Sequence, residues 1–448
     1  MRTLLIKALV ICLITAIVPV FGQQPLDGYI EAGLKNNLVL QQKNIALDKA
    51  LLALKVANGM FSPSLTLLGN YTTGDGGRSI SFPVGDLLNP VYSTLNQLTG
   101  TNNFPTIENV NQNFFPRDFY DVRARASMPI LNTDLIYNRK IKAQQTLLQE
   151  AEVAVYKREL IRSIKVSYYN YLAAQQGVLI YKSALARAEE GKRVNESLLE
   201  NGKGLPAYIL RSQSELENTK AQLADAERQV ENAHLYFNFL LNRDAHAEIL
   251  TSEESSLNID DSNLNTTQNR EEFLQLQTAT QIQQDVQEMT RLFWMPRISG
   301  FIDLGAQGEQ MKYNSNANYY LLGVQLEVPL FAGFTNRHKI AQSRLDVKSV
   351  DLTLQHTTRQ LNLGLETSRN ALLSAKQNYR SAQKQLEAAQ SYQRLIEKGY
   401  KEGANTFIES VDARTQLTGA QLQLALNQYR VLIAMANLER ETASFPLK

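Results

Sequence analysis

Leu321-Leu-Gly-Val-Gln-Leu-Glu-Val-Pro-Leu-Phe331 is the stretch on which the fold turns. Up to Val328 it alternates. Leu322, Val324, Leu326 and Val328 share one face, and Leu321, Gly323, Gln325 and Glu327 share the other. A period of two is that of a β-strand. Pro329 then removes a backbone donor, and the pattern beyond it becomes helical. The same passage occurs earlier at Met128-Pro129-Ile130-Leu131. It follows an alternation of Val122, Ala124, Ala126 and Met128 against Asp121, Arg123, Arg125 and Ser127.

Two further landmark pairs flank this one. Residues 60–65, Met-Phe-Ser-Pro-Ser-Leu, and residues 293–298, Phe-Trp-Met-Pro-Arg-Ile, each close a helical pattern and open a strand. Gly204-Leu205-Pro206-Ala207 and Gly403-Ala404-Asn405-Thr406 each break a pair of long helices. Pro129 precedes Gly204 by 75 residues and Pro329 precedes Gly403 by 74, whereas Pro63 to Pro129 is 66 and Pro296 to Pro329 is 33. Three ordered landmarks at matching intervals define a tandem duplication with one insertion in the first hairpin. That insertion, residues 75–118, begins within Gly-Asp-Gly-Gly (74–77), holds prolines at 83, 90, 105 and 116, and reads as a long irregular loop.

The remaining strands alternate in the same way. Ile298, Ile302 and Leu304 oppose Ser299, Asp303 and Gln307, and Leu65, Leu67 and Tyr71 oppose Thr66 and Asn70. Segments of about ten residues with this alternation form outer-membrane barrel walls, with apolar side chains toward lipid and polar ones toward a lumen. A half-buried sheet in a soluble domain has the same pattern. Tyr71, Phe119, Tyr120, Tyr319 and Tyr320 near strand ends favour the membrane wall, because aromatic rings collect at interfaces. Four strands cannot close a barrel, and lipid does not tolerate open edges. Several chains are therefore expected to share one sheet.

The helices exceed globular lengths. From about Asn132 to Asn201 the pattern is continuous, on the order of 100 Å at helical rise. The matching helix, about 335–401, carries a seven-residue seam of Leu361, Leu365, Ser368, Leu372, Ala375, Tyr379, Ala382, Leu386 and Ala389, with Ile396 one step later. Its return partner continues with Val411, Thr415, Thr418, Leu422, Ala425, Tyr429, Leu432 and Ala436. Such a repeat is packing, and it imposes a left-handed supercoil.

Residues 1–22 read as a secretory signal, with Arg2 and Lys7 before an apolar run from Ala8 to Val20 and small side chains at the cleavage point. Cys12, the sole cysteine of 448 residues, lies inside that run, so disulfides and thiolate sites are not expected in the mature chain. Removing Arg2 and Lys7 brings the formal charge of +2 to zero, which gives no electrostatic reason to expect nucleic acid. No later run is long and apolar enough for a helical span. The four histidines show no metal spacing, and no phosphate loop or nucleophile arrangement occurs, so no metal, cofactor or enzymatic activity is expected. The expected organisation is a signal at 1–22, a first repeat at 23–243, a connector at 244–268 and a second repeat at 269–448. Strands are expected at about 63–74, 119–130, 297–310 and 318–331, and helical tips at about 201–208 and 400–407.

Together these residues resemble the TolC-type outer-membrane efflux protein family. The likeness is closest at residues 33–71, at Glu-Val-Pro-Leu-Phe-Ala-Gly-Phe-Thr (327–335), and from Gly-Tyr-Lys-Glu-Gly to Val-Asp-Ala-Arg-Thr-Gln-Leu (399–417). It spans about residues 26–440. It implies a homotrimer whose four strands per chain form a twelve-stranded outer-membrane β-barrel, continuous with a long periplasmic α-helical coiled-coil barrel. It further implies a passive exit duct that engages a periplasmic adaptor (membrane fusion) protein and an inner-membrane RND or ABC transporter, for efflux or type I secretion. A structural coiled-coil or adhesin scaffold is the alternative; it accounts for the heptads but not for the paired hairpins.

By the same resemblance, Glu409 and Asp412, one turn apart after the second tip, are expected to line the periplasmic entrance. Three copies would place six carboxylates there, a ring able to attract cations. Acids in a first helical turn also simply complement the macrodipole. The first-tip position matching the acid reads as Leu210, with Gln213 and Glu215 beyond. Gly204, Leu205 and Ala207 at the first tip, with Gly403 and Ala404 at the second, are expected to receive the adaptor, although glycines there also serve to turn the chain. Lys203 stands where the family often has an apolar residue.

Overall fold

A computed structural model describes residues 25–114, 118–251 and 270–447. The expected signal, most of the expected connector and Pro116 lie outside the described residues. The chain divides into two compact units. Among the described residues, a helical unit falls within Met1–Ala50, Gln144–Gln281 and Lys348–Lys448, and a sheet unit within Leu51–Ala143 and Ile282–Val347. The helices are α1 (Pro25–Asn36), α2 (Leu38–Gly59), α3 (Val84–Thr99), α4 (Thr133–Glu200), α5 (Pro206–Leu240), α6 (Glu271–Arg291), α7 (Thr335–Lys401) and α8 (Phe407–Thr442). The strands are β1 (Ser64–Thr72), β2 (Ser79–Phe82), β3 (Val110–Asn113), β4 (Phe119–Leu131), β5 (Arg297–Gly308) and β6 (Asn318–Glu327).

In the sheet unit, β1, β4, β5 and β6 form one antiparallel sheet in that order. Register sets whole rows on one face. Leu65, Ala126, Ile302 and Leu322 lie side by side, followed by Leu67, Ala124, Leu304 and Tyr320. Leu65, Leu67, Leu322 and Val324 are each more than 70% exposed in the single chain, so this apolar face has no cover within it. The opposite face is mainly polar: Thr66, Arg125 and Asp303 form one row, ended by Leu321, and Asn70, Asp121 and Gln307 another. Arg125 grips Asp303 through Nε and Nη2, both at 2.7 Å, and Tyr319 donates to Asp121 at 2.7 Å. Burial of Asp303 is tolerated because its charge is paired and hydrogen-bonded. The β4–β5 register slips between Pro129 and Leu131, where proline supplies no N–H. Beyond it, Asn132 caps α4 by accepting from the Asp134 and Leu135 N–H groups.

The insertion is more regular than its composition suggests. β2 and β3 pair, and the 16-residue α3 lies between them. Pro83 immediately precedes that helix, and Pro90 sits within it. Two asparagine side chains replace a sheet ladder for the returning chain. Asn89 exchanges both amide bonds with Ile107, and Asn96 does so with Phe104. Side-chain-to-backbone pairing of this kind leaves no periodic trace, which is why the prolines alone point to an irregular loop.

In the helical unit, Leu26, Ile30 and Leu40 of α1–α2 pack with Ile164 and Tyr168 of α4 and Phe237 of α5 in one buried cluster. A second cluster joins Leu365 and Leu372 of α7 to Val431, Ala434 and Leu438 of α8. The α7 seam is buried or half-buried throughout, as its heptad requires. On α8 the seam is displaced: Thr415 is exposed, and burial runs through Phe407, Ser410, Ala413, Arg414 and Leu417. The cause is a second neighbour. α8 packs against α7 and also against α4, through Arg162–Asn437, Lys165–Glu439 and Arg187–Thr418.

Candidate functional site: the paired helical tips

Both tips lie in the helical unit, and both stop a helix by the same device. At the first, Gly202 has φ +69; its N–H reaches Leu199 O at 2.9 Å while Lys203 N–H reaches Leu198 O at 2.8 Å. At the second, Gly403 has φ +79, bonded to Tyr400 O at 3.1 Å, with Ala404 bonded to Gly399 O at 2.8 Å. Each is a Schellman motif, which needs a left-handed residue best supplied by glycine. The structural counterpart of Gly403 is therefore Gly202, two residues before the Gly204 that sequence spacing pairs with it. Gly204 is glycine for another reason. A side chain there would meet the Leu199 backbone nitrogen at 2.6 Å.

The helices that follow start differently. Leu205 caps α5 without a side-chain bond, and Pro206 opens the helix with its φ already set. Thr406 caps α8 in a full capping box: Glu409 N–H donates to Thr406 Oγ1, and the Thr406 N–H donates to Glu409 Oε2 at 2.7 Å. Asn405 Nδ2 adds a third donor at 3.3 Å. The Thr406 backbone N–H, then the Asn405 and Thr406 side chains, hold the Glu409 carboxyl below the usual glutamate range. A depressed carboxyl stabilises the folded tip at pH above its unfolded value, and that contribution is lost as pH falls through the depressed one. Asp412, one turn on, accepts from Gln416 Nε2 at 2.8 Å. Both acids are exposed, on one helix face.

With Gly202 and Gly403 in register, the first-tip counterpart of Glu409 is Tyr208 and that of Asp412 is Arg211, not Leu210. The two tips thus present different chemistry on one backbone plan. Ala207, Gly403 and Ala404 are exposed and Gly204 is half-buried. Leu205, Leu210 and Ile408, at 56%, 75% and 67% exposure, add apolar surface beside them.

Residues that the sequence pattern passes over hold the tips together. Phe407 is fully buried, with Tyr208 at 5.3 Å and Tyr400 at 5.9 Å between ring centroids. The Tyr400 hydroxyl donates to Asn195 Oδ1; Asn195 Nδ2 donates to Ser212 Oγ at 2.6 Å; Ser212 donates to Tyr208 O at 2.7 Å. Burial pushes the Tyr400 hydroxyl above its ordinary value. This relay ties α7, α4 and α5. Its polar members, Asn195 and Ser212, are buried within otherwise helical sequence, and no local pattern marks them.

A sheet with a bare apolar face and a polar reverse, together with long helices that turn back at paired tips, defines an outer-membrane duct subunit. A family model described as outer membrane efflux protein matches residues 29–243 and 265–443, and the chain belongs to that family. The two matched stretches fall on the two halves of the duplication. Nodulation protein T of Rhizobium leguminosarum bv. trifolii is 22% identical over 434 residues, covering 93% of this chain and 85% of that protein. The outer-membrane channel OprN has a TM-score of 0.78 at 16% identity, covering 94% of this chain and 90% of that one. The CmeC outer membrane channel of Campylobacter jejuni follows at 0.77 and 14%, covering 93% and 85%.

Proposed function

We propose that the chain is one third of a passive exit duct in a tripartite efflux or type I secretion assembly. The observation that carries this reading is the sheet. Among the described residues, β1 and β6 each have one neighbour only, and the apolar face is uncovered. In lipid every strand edge needs a partner, and three copies of four strands supply a closed wall of ordinary outer-membrane size. The repeats, 23–243 and 269–448, then build the barrel and its helical extension.

In that trimer, Glu409 and Asp412 form an acidic ring at the periplasmic entrance, while Gly204, Leu205, Ala207, Gly403 and Ala404 receive a periplasmic adaptor that links the duct to an RND or ABC pump. Exposure of both acids and of Leu205 and Ile408 supports the assignment. The duct has no energy source of its own; the cargo is selected by the pump. The test is disulfide trapping in a background lacking Cys12. Cysteines facing each other on β1 and β6 should yield a sodium dodecyl sulfate-resistant trimer from outer membranes. Recovery of monomers alone would sink the proposal.

A further inference from the structure

A cavity of about 270 Å³ lies between α4, α7 and α8, a few turns behind the tips and wholly within the helical unit. Two guanidinium groups line it. Arg414 has its side chain only 9% exposed and occupies the space a side chain at Gly191 would need. Its nitrogens donate to Arg187 O at 3.0 Å, Ser410 O at 3.3 Å and Ser410 Oγ at 3.2 Å, all neutral acceptors. The nearest carboxylate, on Glu215, is 3.9 Å away. Burial pushes that carboxyl up, towards its neutral form.

Arg187 is less well served. It donates to Ser183 Oγ, Thr418 Oγ1 and Gln421 Oε1, again neutral, and its buried Nε has no hydrogen-bond partner. Burial first, and then the like charge of Arg414, work against its cationic form. Of the acids at the cavity rim, Glu397 offsets part of this by favouring the Arg187 cation at a distance, but neither rim acid hydrogen-bonds Arg187 or Arg414. Glu190 holds Arg193 through two bonds of 2.7 and 2.8 Å, and Glu397 accepts from Gln393 beside Lys401. Two adjacent cations whose hydrogen bonds all go to neutral acceptors, with one long ion pair to Glu215 and an orphan donor on Arg187, leave room for a closer anionic partner.

We infer that this cavity is a binding site for a compact oxoanion, phosphate or carboxylate, held between Arg187 and Arg414. Guanidinium groups suit this class because their planar donors match paired oxygens. The cavity is large enough for inorganic phosphate or for a small dicarboxylate. The bound anion would bridge α4 to α8 directly behind the entrance and so stiffen the tips.

The experiment is equilibrium dialysis of the full detergent-solubilised protein with labelled inorganic phosphate and, separately, labelled succinate, at constant ionic strength set by chloride. Saturable binding of either probe at one site per chain is expected, weakened about tenfold or more in R187Q, as loss of a charged hydrogen-bond donor predicts. Which probe binds identifies the source of the oxygens. Because R187Q could disturb packing, a second measurement uses the unaltered protein. Phosphate or succinate should protect Arg187 from phenylglyoxal more than it protects exposed Arg193. Absence of saturable binding by both probes, equal binding in R187Q, or protection of both arginines alike would overturn the proposal.

Discussion

The two helical tips use one backbone solution and two side-chain solutions. Gly202 and Gly403 both adopt a left-handed φ and close the same pair of hydrogen bonds. After them, the first tip relies on the fixed φ of Pro206, whereas the second relies on Thr406 and Glu409 bonding each other's N–H groups. The outcome is a difference in charge. The first tip carries Tyr208 and Arg211 where the second carries Glu409 and Asp412. A duplicated helical hairpin therefore retains what its backbone demands and is free to diverge in the side chains that follow the turn. In this chain the divergence leaves one tip with a tyrosine and a cation and the other with two carboxylates.

That comparison can be broken at several points. The largest effect is expected from E409Q combined with D412N. Removing six carboxylates per trimer should weaken multivalent-cation block of single-channel conductance by about tenfold or more in planar bilayers. Unchanged block would remove the acidic ring from the account. The converse change, R211D at the exposed first-tip position, should strengthen block by adding one carboxylate per chain; a null result would mean that the first tip does not face the pore.

Smaller effects test the shared turn. G403A and G202A should each cost about 1–2 kcal/mol of local stability, the penalty of a left-handed non-glycine residue, seen as faster hydrogen exchange in the last turns of α7 and α4. Equal costs at both sites are required by the register given above. T406A should cost about 1 kcal/mol at the start of α8, the ordinary value of a lost N-cap. L205A should leave the first turn of α5 unchanged, since Leu205 makes no side-chain cap. The smallest effect concerns pH. In a carboxyl-resolved NMR titration Glu409 should protonate below the ordinary glutamate range, and T406A should move it back towards that range.

Much of the scaffold is legible because it is periodic. Residues 321–328 display a sheet face by alternation, and Leu365, Leu372 and Ala382 display a helical seam by sevens. The duplication, the strand-to-helix proline junctions and the presence of two tips follow from such patterns and their spacing. The candidate site is less legible. Spacing places Gly204 opposite Gly403, but hydrogen bonding selects Gly202, because only the backbone conformation distinguishes a turn glycine from a close-approach glycine. The α8 seam fails at Thr415 for a related reason: a heptad describes one partner, and α8 has two.

By itself, then, the sequence determined the repeating elements: a strand pair and a helix pair used twice, and two glycine breaks with acids after the second. These depend on local periodicity and on φ preferences, which each segment carries alone. Only the tertiary structure decided which glycine turns the first tip, that Phe407, Tyr400 and Asn195 lock the tips together, and that Arg187 and Arg414 stand side by side. Arg187 and Arg414 are 227 positions apart along the chain, and Asn195 and Tyr400 are 205 apart. No local rule couples them; their meeting depends on packing between helices, where burial and unpaired charge are settled jointly.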